Sequence, residues 1–226
     1  MKRRKNIITV AIDSPAAAGA GTQAQLIAKN YNLFYLDTGK IYRYIGKLKL
    51  SDKKKFSYNL IQKKINTLKL SNLKNKELLS NEVALSASKI ARDKKIRSIV
   101  HKFQQKCAYS PPMKYAGSVL DGRDIITVQI KDAMFKFFIT ASLKVRSKRR
   151  FKEYKSLKKK ITLKEVVKSL RNRDKSDRQR RYGALKIFIL WIPKSMKTLS
   201  LSFSHLSYCF WYSAETQSTC SIYVSV

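Results

Sequence analysis

The apolar residues near the amino-terminal end lie in short runs separated by small or polar residues. Ile7 to Ile12 is a continuous, mostly β-branched run, which is the pattern of a parallel strand buried on both faces. A loop of small residues follows from Ser14 to Gly21, and a helical pattern comes after it. Leu33 to Leu36 is a second short apolar run, and Lys40 to Leu50 returns to helical spacing. This order of strand, loop, helix and strand predicts the opening of an α/β fold.

Further helices and strands are predicted up to about residue 186. Residues 51–110 are rich in Lys and predict two or three helices. Strands are predicted at Val119 to Leu120 and at Phe135 to Thr140. A helix dense in Lys and Arg spans Leu143 to Lys160, and another helix starts after Thr162, which has a Glu three residues later. That spacing predicts a capping box.

The first helix carries its large apolar residues on one side, namely Leu26, Ile27 and Tyr31. A stripe of this kind is typical of an amphipathic helix that packs on a core. The helix directly follows the small-residue loop, so its first turn is expected to lie next to that loop.

The composition of the chain changes near residue 187. From there to the last residue only Lys194, Lys197 and Glu215 carry a full charge, while Ser, Trp, Tyr, Phe and Cys become frequent. The segment has no clear helical or strand period. We expect residues 187–226 to be an aberrant tail, frameshifted or disordered. A natural aromatic tail stays an alternative.

Charge is the strongest feature of the overall composition. The chain has 49 Lys and Arg against 14 Asp and Glu, a formal net charge of +35 over 226 residues. Such a field attracts polyanions and favours nucleotide or nucleic-acid partners. A biased codon composition explains the same excess, because Lys far outnumbers Arg. The length fits one domain, and 44% hydrophobic residues are enough for a core.

Cysteine usage and the amino-terminal residues bear on the compartment. Cys107, Cys209 and Cys220 form no C-x-x-C pair and have no His at a metal-binding spacing, so we expect free thiols. Met1 to Lys5 is basic, but the apolar run that follows is too short for a signal peptide. No run approaches the ~18 apolar residues that cross a bilayer. We therefore expect a cytoplasmic monomer without a membrane segment.

The loop from Ser14 to Thr22 has the features of a phosphate-binding loop. Gly19 and Gly21 let backbone N–H groups turn toward phosphate oxygens, and Thr22 offers a hydroxyl to Mg²⁺. Such loops carry a Lys where this chain has Ala20. We expect weak catalysis that a Lys at this position would raise, unless a nearby Lys or Arg replaces the charge. Taken alone, the loop could equally be a small-residue turn that enters a helix.

A second motif follows this loop. Residues 35–43 read YLDTGKIYR and begin 13 residues after Thr22. The two motifs together resemble the bacterial cytidylate kinase family, in which GPxxxGKGT is followed by YLDTGxxYR. Asp37 and Thr38 would lie at the carboxyl end of a strand, where α/β sheets bind ligands, and Arg43 would reach a monophosphate. A capped helix start would explain the Asp-Thr pair but not the Tyr-Arg pair.

Residues 120–125 carry the third motif. They read LDGRDI and resemble the family segment DGRDIGTVV, with Ile126 in place of the second Gly. Arg123 offers a planar fork for phosphate oxygens, and Asp124 offers a carboxylate to the amino group of a base.

Two basic stretches complete the resemblance. Residues 137–142 read FFITAS and, with the arginines at 146, 149 and 150, resemble IFLTAS…RARRR. Residues 173–180 read RDKSDRQR and resemble RDxxDxxR, in which arginines surround the transferring phosphoryl group. Solvated helix faces would explain either stretch alone, but not four motifs in the order of the family. Residues 51–80 are shorter than the β-rich insert of many members, which leaves the preference for cytidylate open.

The resemblance implies a P-loop NTPase-like α/β fold of three layers, with a central parallel sheet and a basic helical lid at about 146–160. The kinase domain would span residues 1–186 with a short helical insert at 51–80. The implied reaction transfers a phosphoryl group from ATP to CMP or dCMP with Mg²⁺. The implied residues are Arg123, Arg173 and Asp174 for catalysis; Ser14, Pro15, Ala16, Ala17, Ala18, Gly19, Ala20, Gly21, Thr22, Arg146 and Arg150 for ATP; Asp37, Thr38, Tyr42, Arg43, Arg123, Asp124, Asp177 and Arg180 for CMP; and Thr22 for the metal.

Three alternatives stay open at this point: an inactive P-loop kinase homologue, a basic nucleic-acid-binding protein, and another monophosphate kinase such as adenylate kinase. RNA-binding sheets expose aromatic side chains, whereas Phe135, Phe137 and Phe138 lie in a predicted core strand. Adenylate kinases lack the LDTGxxYR and DGRD forms. No dedicated nucleic-acid partner is therefore expected.

Overall fold

The computed structural model describes residues 7–158, 160–186 and 220–225, with only the backbone for Asn81 and for 220–225. Five strands form one sheet in the order β2-β3-β1-β4-β5. The first four strands along the chain run parallel, and β5 pairs antiparallel with β4. The strands are β1 (Ile8–Asp13), β2 (Leu33–Asp37), β3 (Gly117–Gly122), β4 (Phe135–Ala141) and β5 (Cys220–Ser225).

Seven α-helices connect and cover these strands within the described residues. All the predicted strands and helices up to residue 186 are present, and the segment 51–110 holds three α-helices with two short 3₁₀ turns. The helices are α1 (Ala20–Asn30), α2 (Thr38–Ser51), α3 (Tyr58–Asn66), α4 (Asn81–Ile90), α5 (Lys94–Tyr109), α6 (Leu143–Ser156) and α7 (Leu163–Gln179); the 3₁₀ turns are Leu70–Lys74 and Lys76–Leu79, and a π-helical turn covers Ile125–Gln129.

Side-chain caps divide the Lys-rich part of the chain into separate helices. Ser57, Ser80 and Asp93 each accept a hydrogen bond from a backbone N–H of the first turn of α3, α4 and α5. The predicted capping box of α7 is confirmed, since Thr162 accepts from the Glu165 N–H at 3.3 Å and donates its own N–H to the Glu165 carboxylate at 2.7 Å. Each such cap satisfies N–H groups that the helix leaves unpaired.

The sheet is covered on both faces, which confirms the predicted α/β arrangement. Alternate residues of a strand point to opposite faces, so Ala11 packs with the core residues of α2 to α5, and Val10 and Ile12 pack with those of α1. Phe135 and Phe137 are partly buried against the α1 side, and Phe138 is buried. The aromatic residues of β4 are therefore used in packing.

Helix α1 buries only part of the side that its large apolar residues mark, since Ile27 packs against the core and Leu26 and Tyr31 do not. The residues that it buries are Ala20, Ala24 and Ala28, while Leu26 and Tyr31 are 42% and 46% exposed. Small side chains let the helix lie close to the strands, so close packing decides which side faces the sheet.

A third apolar cluster lies away from the sheet, where α6 and α7 pack together over the small-residue loop. It contains Ala16 from the loop, Tyr154 from α6, and Val166 and Leu170 from α7. This cluster brings the basic helix α6 against residues 14–22. The predicted lid at 146–160 overlaps α6.

The predicted aberrant tail, residues 187–226, lies outside the described residues except for β5. The backbone of β5 pairs with β4 from Lys136 opposite Ser225 to Ala141 opposite Cys220. The frameshift hypothesis itself stays a prediction. Among the described helices, none is long and apolar enough to cross a membrane.

Candidate functional site

A cavity of about 400 Å³ opens at the carboxyl ends of β1, β2 and β3. Parallel α/β sheets bind ligands at this edge, because the loops that leave neighbouring strands meet there. A second cavity of about 550 Å³ extends between α4, α6 and α7. The two cavities share a cluster of arginines: Arg43, Arg123, Arg150 and Arg173.

The loop after β1 has the backbone shape of an anion cradle. Ala17 and Gly19 have φ values of 60° and 96°, and α1 begins at the next residue, Ala20. Left-handed residues before a helix turn successive N–H groups toward one point, and the helix N-terminus favours negative charge there. A left-handed Ala costs roughly 1–2 kcal/mol, so the surrounding packing holds the loop in this shape.

The buried carboxyl group of Asp13 stabilises the carboxyl edge of the sheet. Its side chain is buried, and its two carboxyl oxygens accept the N–H groups of Ile125 and Ile126 at 2.8 Å and 3.0 Å. Burial raises the pKa of Asp13 to about 7, although the two N–H bonds act in the opposite direction. Asp13 therefore ties the end of β1 to the turn that follows residues 121–124.

Replacing Asp13 with Ala is expected to lower the free energy of unfolding by roughly 2–4 kcal/mol, because two buried N–H donors lose their acceptors. Asp13→Asn keeps one acceptor and should lose about half of that. Urea unfolding monitored by circular dichroism measures both variants. An Asp13→Ala protein as stable as the wild type would contradict this role.

Comparing Asp13→Asn with the wild type at several pH values tests the raised pKa of Asp13. The folded protein holds the Asp13 proton up to about pH 7, whereas the unfolded chain releases it near 3.8. The stabilising contribution of this proton is complete below the unfolded pKa and is lost as pH rises through the folded pKa. Stability of Asp13→Asn relative to the wild type should therefore rise between about pH 4 and 7 and then level off. A difference independent of pH would contradict the raised pKa.

Two further carboxylates lie at the ends of β2 and β3. Asp121 accepts a hydrogen bond from the Tyr35 hydroxyl at 3.2 Å, and its backbone carbonyl accepts from the Thr38 hydroxyl at 2.7 Å. Burial, and then the charge of Asp37, raise the pKa of Asp121 to about 8. A divalent cation at this edge would relieve the repulsion between the two carboxylates.

These oxygens are suitable ligands for a divalent cation. Thr22 is exposed at the start of α1 and lines the cavity together with Asp37 and Asp121. Within residues 7–158, 160–186 and 220–225, no group of three or more His, Cys, Asp or Glu side chains is placed to hold a metal. Mg²⁺ commonly binds through one or two protein oxygens, substrate phosphates and water, which agrees with this sparse donor set.

Three arginines converge on Asp177 in the wall of the cavity. Arg123 donates to Asp177 at 2.9 Å, Arg180 forms an ion pair with it, and Arg173 lies 4.0 Å away. Burial alone would raise the pKa of Asp177, but the charges of the arginines outweigh burial and keep the pKa below its usual value. One carboxylate cannot neutralise three cations, so the cluster keeps a positive charge for an anion.

Arg173 is the arginine of this cluster that has an unsatisfied hydrogen-bond donor. Its Nε atom is buried and has no hydrogen-bond partner among the described residues. Burial, and then the charge of Arg123, lower the pKa of Arg173 to about 10. A phosphate would supply both the missing acceptor and the missing negative charge.

Arg43 reaches the same space from α2. Its guanidinium donates to the Leu78 carbonyl at 2.7 Å, which fixes the side chain against the second 3₁₀ turn. Burial, and then the charge of Arg150, lower the pKa of Arg43. This is the environment of a cation that binds an anion.

A buried ion pair closes the far side of the cavity. Arg97 pairs with Asp124, and the Gln129 amide also donates to Asp124, at 2.7 Å. The Arg97 guanidinium lies 5.7 Å from the centre of the Tyr42 ring. The Tyr42 hydroxyl is buried and has no hydrogen-bond partner within the described part of the chain. This end of the cavity offers hydrogen bonds and an aromatic face, as a base requires.

Comparisons with known proteins agree with this geometry. A family model described as cytidylate kinase matches residues 10–189. The chain belongs to the cytidylate kinase family. Proteins named cytidylate kinase from Clostridium botulinum (strain Loch Maree / Type A3) and Bartonella tribocorum are similar to it. The first is 35% identical over 190 residues, covering 79% of this chain and 85% of the relative. The second is 39% identical over 183 residues, covering 78% and 81%.

A third relative, also named cytidylate kinase, comes from Thermosipho melanesiensis. It is 36% identical over 187 residues, covering 78% of this chain and 83% of the relative. The family match covers most of β1, all of β2 to β4, the loop after β1 and both basic helices, and it extends only three residues beyond Lys186. Strand β5 lies outside it. The four motifs that the sequence analysis identified all lie within the matched residues.

The structure brings most of the predicted site residues of this cytidylate kinase family member together around one cavity. Those that line it are Ser14, Pro15, Ala17, Ala18, Gly19, Ala20, Gly21, Thr22, Asp37, Thr38, Tyr42, Arg43, Arg123, Asp124, Arg150, Arg173, Asp177 and Arg180.

Three predicted residues, Ala16, Arg146 and Asp174, do not line that cavity. Arg146 is buried, pairs with Asp174 at 2.7 Å, and donates to the carbonyls of Ala141 and Ala16 at 2.9 Å and 3.0 Å. These contacts hold α6 to α7, to the loop and to the end of β4, and they use the Arg146 guanidinium on protein acceptors. Ala16 packs in the third apolar cluster and lines the second cavity.

Sequence reasoning missed several residues that line the cavity, chief among them Arg97, Asp121 and Ser88. Asp121 lies in the DGRD motif, which was the available signal. Arg97 is one basic residue among many, and only its burial against Asp124 distinguishes it. Ser88 lies in a helix whose pattern carries no sign of a ligand.

Proposed function

We propose that this chain transfers the γ-phosphoryl group of ATP to CMP or dCMP, giving ADP and CDP or dCDP. The observation that carries the proposal is a single cavity in which the phosphate loop, the arginines around Asp177 and the Arg97–Asp124 pair face one another. Family membership and the names of the similar proteins support the same reaction.

The phosphate loop would hold ATP. The backbone N–H groups of residues 19–22 would donate to the β- and γ-phosphates, and the N-terminus of α1 would favour their charge. Thr22, Asp37 and Asp121 would hold Mg²⁺ directly or through water. A Mg²⁺ ion held there would neutralise part of the charge on the phosphate oxygens.

The opposite wall would hold the monophosphate. Arg43, Arg123 and Arg180 supply charge to its phosphate group. Asp124, already oriented by Arg97 and Gln129, would accept a hydrogen bond from the amino group of the base. A cytosine has an exocyclic amino donor at the position where uracil has a carbonyl, so an acceptor oxygen of Asp124 would favour CMP over UMP.

The transfer step consists of positioning and charge stabilisation. An oxygen of the CMP phosphate forms a bond to the γ-phosphorus, and the bond from that phosphorus to the bridging oxygen breaks, leaving ADP with the electron pair. Charge spreads over the three peripheral oxygens in the transition state. Arg173, with its unpaired Nε, is the residue that would meet this charge. Its expected contribution is to the rate of the step.

Arg146 and Asp174 would act by positioning. They hold α6 against α7 and against the loop carbonyl of Ala16, and this contact sets where the neighbouring side chains of α6 point. Arg150 forms two hydrogen bonds to Glu153, at 2.9 Å and 2.8 Å, and lines both cavities. It would contribute charge from a restrained position.

The other candidate functions receive less support. A sheet that stacks RNA bases needs exposed aromatic rings, whereas the aromatic side chains of β4 pack into the core or against it. The adenylate kinase alternative does not carry the LDTGxxYR and DGRD forms that surround this cavity. The inactive-homologue alternative is decided by measuring turnover.

A coupled assay for ADP release tests the proposal directly. With Mg-ATP, the full chain is expected to turn over CMP or dCMP with a kcat/KM at least about tenfold above that for UMP or AMP, because an amino group on the pyrimidine is selected. Reactions without a monophosphate, and with EDTA, are the controls. Absence of turnover above these controls with every monophosphate would show that the chain is not a nucleoside monophosphate kinase.

A further inference from the structure

The phosphate loop of this chain lacks a cation of its own. The position that carries Lys in the family pattern is Ala20, and its side chain is buried. A Lys there would place a point charge on the β- and γ-phosphates. None of the loop residues 14–22 has a basic side chain.

Arg149 of α6 lies against the loop next to this position. Its Nη1 atom donates to the Ala18 carbonyl at 3.4 Å. The same atom lies 3.4 Å from the position that a Cβ would occupy on Gly19. The guanidinium of Arg149 is therefore in contact with the two residues that directly precede Ala20.

Arg149 is also the most available of the three arginines in its helix turn. Arg146 is paired with Asp174, and Arg150 is paired with Glu153. Arg149 is exposed and has no carboxylate partner among the described residues. Its one bond to the loop is long, so exchanging the carbonyl for a phosphate oxygen would cost little.

The backbone of Arg149 is held in place, even though its guanidinium meets no carboxylate within the described part of the chain. The bond from Arg146 to the Ala16 carbonyl, at 3.0 Å, anchors the same turn of α6 to the loop. The guanidinium therefore stays within reach of the loop without being neutralised. This combination of a fixed backbone and an unpaired charge is what a phosphate-binding side chain requires.

We propose that Arg149 replaces the missing phosphate-loop Lys and binds the β- and γ-phosphates of ATP. The inference rests on the proposed function, because it assigns a cation to the ATP side of that site. The planar guanidinium is always charged and can bind two phosphate oxygens at once. The loss at Ala20 is thus compensated from a different element of the fold.

A double-mutant cycle tests the replacement. The four proteins are the wild type, Arg149→Ala, Ala20→Lys and the double variant, assayed for kcat/KM with ATP at saturating CMP. Arg149→Ala is expected to lower kcat/KM by on the order of 100-fold in the wild-type background. In the Ala20→Lys background, Arg149→Ala should lower kcat/KM by less than about tenfold, because the introduced Lys then supplies the positive charge that Arg149 no longer provides. The cycle is read from the ratio of the two Arg149→Ala effects, whatever rate Ala20→Lys has by itself.

Lys148→Ala is the matched control, because this exposed residue precedes Arg149 on the same helix. It should change kcat/KM by less than about twofold. Thermal unfolding confirms that each variant is folded, and Arg149→Lys should restore part of the activity. An equal loss in both backgrounds, or no loss in either, would overturn the replacement by Arg149.

Calorimetric titration of ATP without any monophosphate separates this inference from the proposed reaction. Arg149→Ala should weaken ATP binding in the wild-type background and much less in the Ala20→Lys background. Turnover absent from all four proteins, together with this binding pattern, would refute the kinase proposal and leave Arg149 as the phosphate-loop cation. Unchanged ATP affinity in Arg149→Ala would refute the inference whatever the turnover.

Discussion

Replacing Arg173 with Ala is expected to lower kcat by about 10²- to 10³-fold and to change the KM for CMP by less than about threefold, which is the signature of a group that binds the transition state. The reason is the unsatisfied state of this side chain. Its Nε lacks a hydrogen-bond partner among the described residues, and the charges around it are three arginines and the single carboxylate of Asp177. Steady-state kinetics with varied CMP and saturating Mg-ATP measures both constants.

Two variants control this experiment. Arg173→Lys keeps a charge but not the planar fork and should recover only part of the rate. Arg171→Ala removes an exposed charge from the same helix and should leave both constants within about twofold of the wild type. A rise in KM at unchanged kcat for Arg173→Ala would assign this arginine to the binding of CMP instead of the transfer step.

Replacing Asp177 with Ala is expected to have the largest effect on stability, because it leaves Arg123, Arg180 and Arg173 without their shared carboxylate. Breaking a buried ion pair from one side typically costs about 3–5 kcal/mol. The arginines would also repel one another and lose their orientation, so the KM for CMP should rise by at least about tenfold. Urea unfolding and steady-state kinetics measure the two effects.

The conservative variant and a second arginine separate the two effects. Asp177→Asn keeps the shape and one acceptor, so it should lose less stability than Asp177→Ala while still raising the KM for CMP. Arg43→Ala should also raise that KM, with a smaller loss of stability, because Arg43 makes one bond to a carbonyl on a surface turn. Equal losses of ATP affinity in the Asp177 and Arg43 variants would contradict the assignment of both residues to CMP.

The elements of the fold were largely predictable because their signals are local. A β-branched run produces β1, and the Thr162 cap with Glu165 marks the start of α7. Side-chain caps and strand patterns depend on neighbours within four or five residues, so they can be recognised from the sequence alone. The motifs at residues 14–22, 35–43 and 120–125 were recognisable for the same reason, and they lie together because parallel strands end at one edge.

Packing was less predictable, and α1 shows why. Of its three large apolar residues, Ile27 packs against the core while Leu26 and Tyr31 are exposed, and the residues that α1 buries are three alanines. The periodicity of a helix shows which residues share a side, but the space between the helix and the sheet decides which side fits. That space depends on strands distant in sequence.

The sequence by itself determined the phosphate loop, its missing Lys, the motif order and hence the family. Only the tertiary structure distinguished the three neighbouring arginines of α6, of which Arg146 and Arg150 meet carboxylates and Arg149 meets the loop. It also placed Arg97 against Asp124, which lies 27 residues further along the chain. The role of a charged side chain depends on its burial and on the charges around it, and these are set by which elements meet in three dimensions.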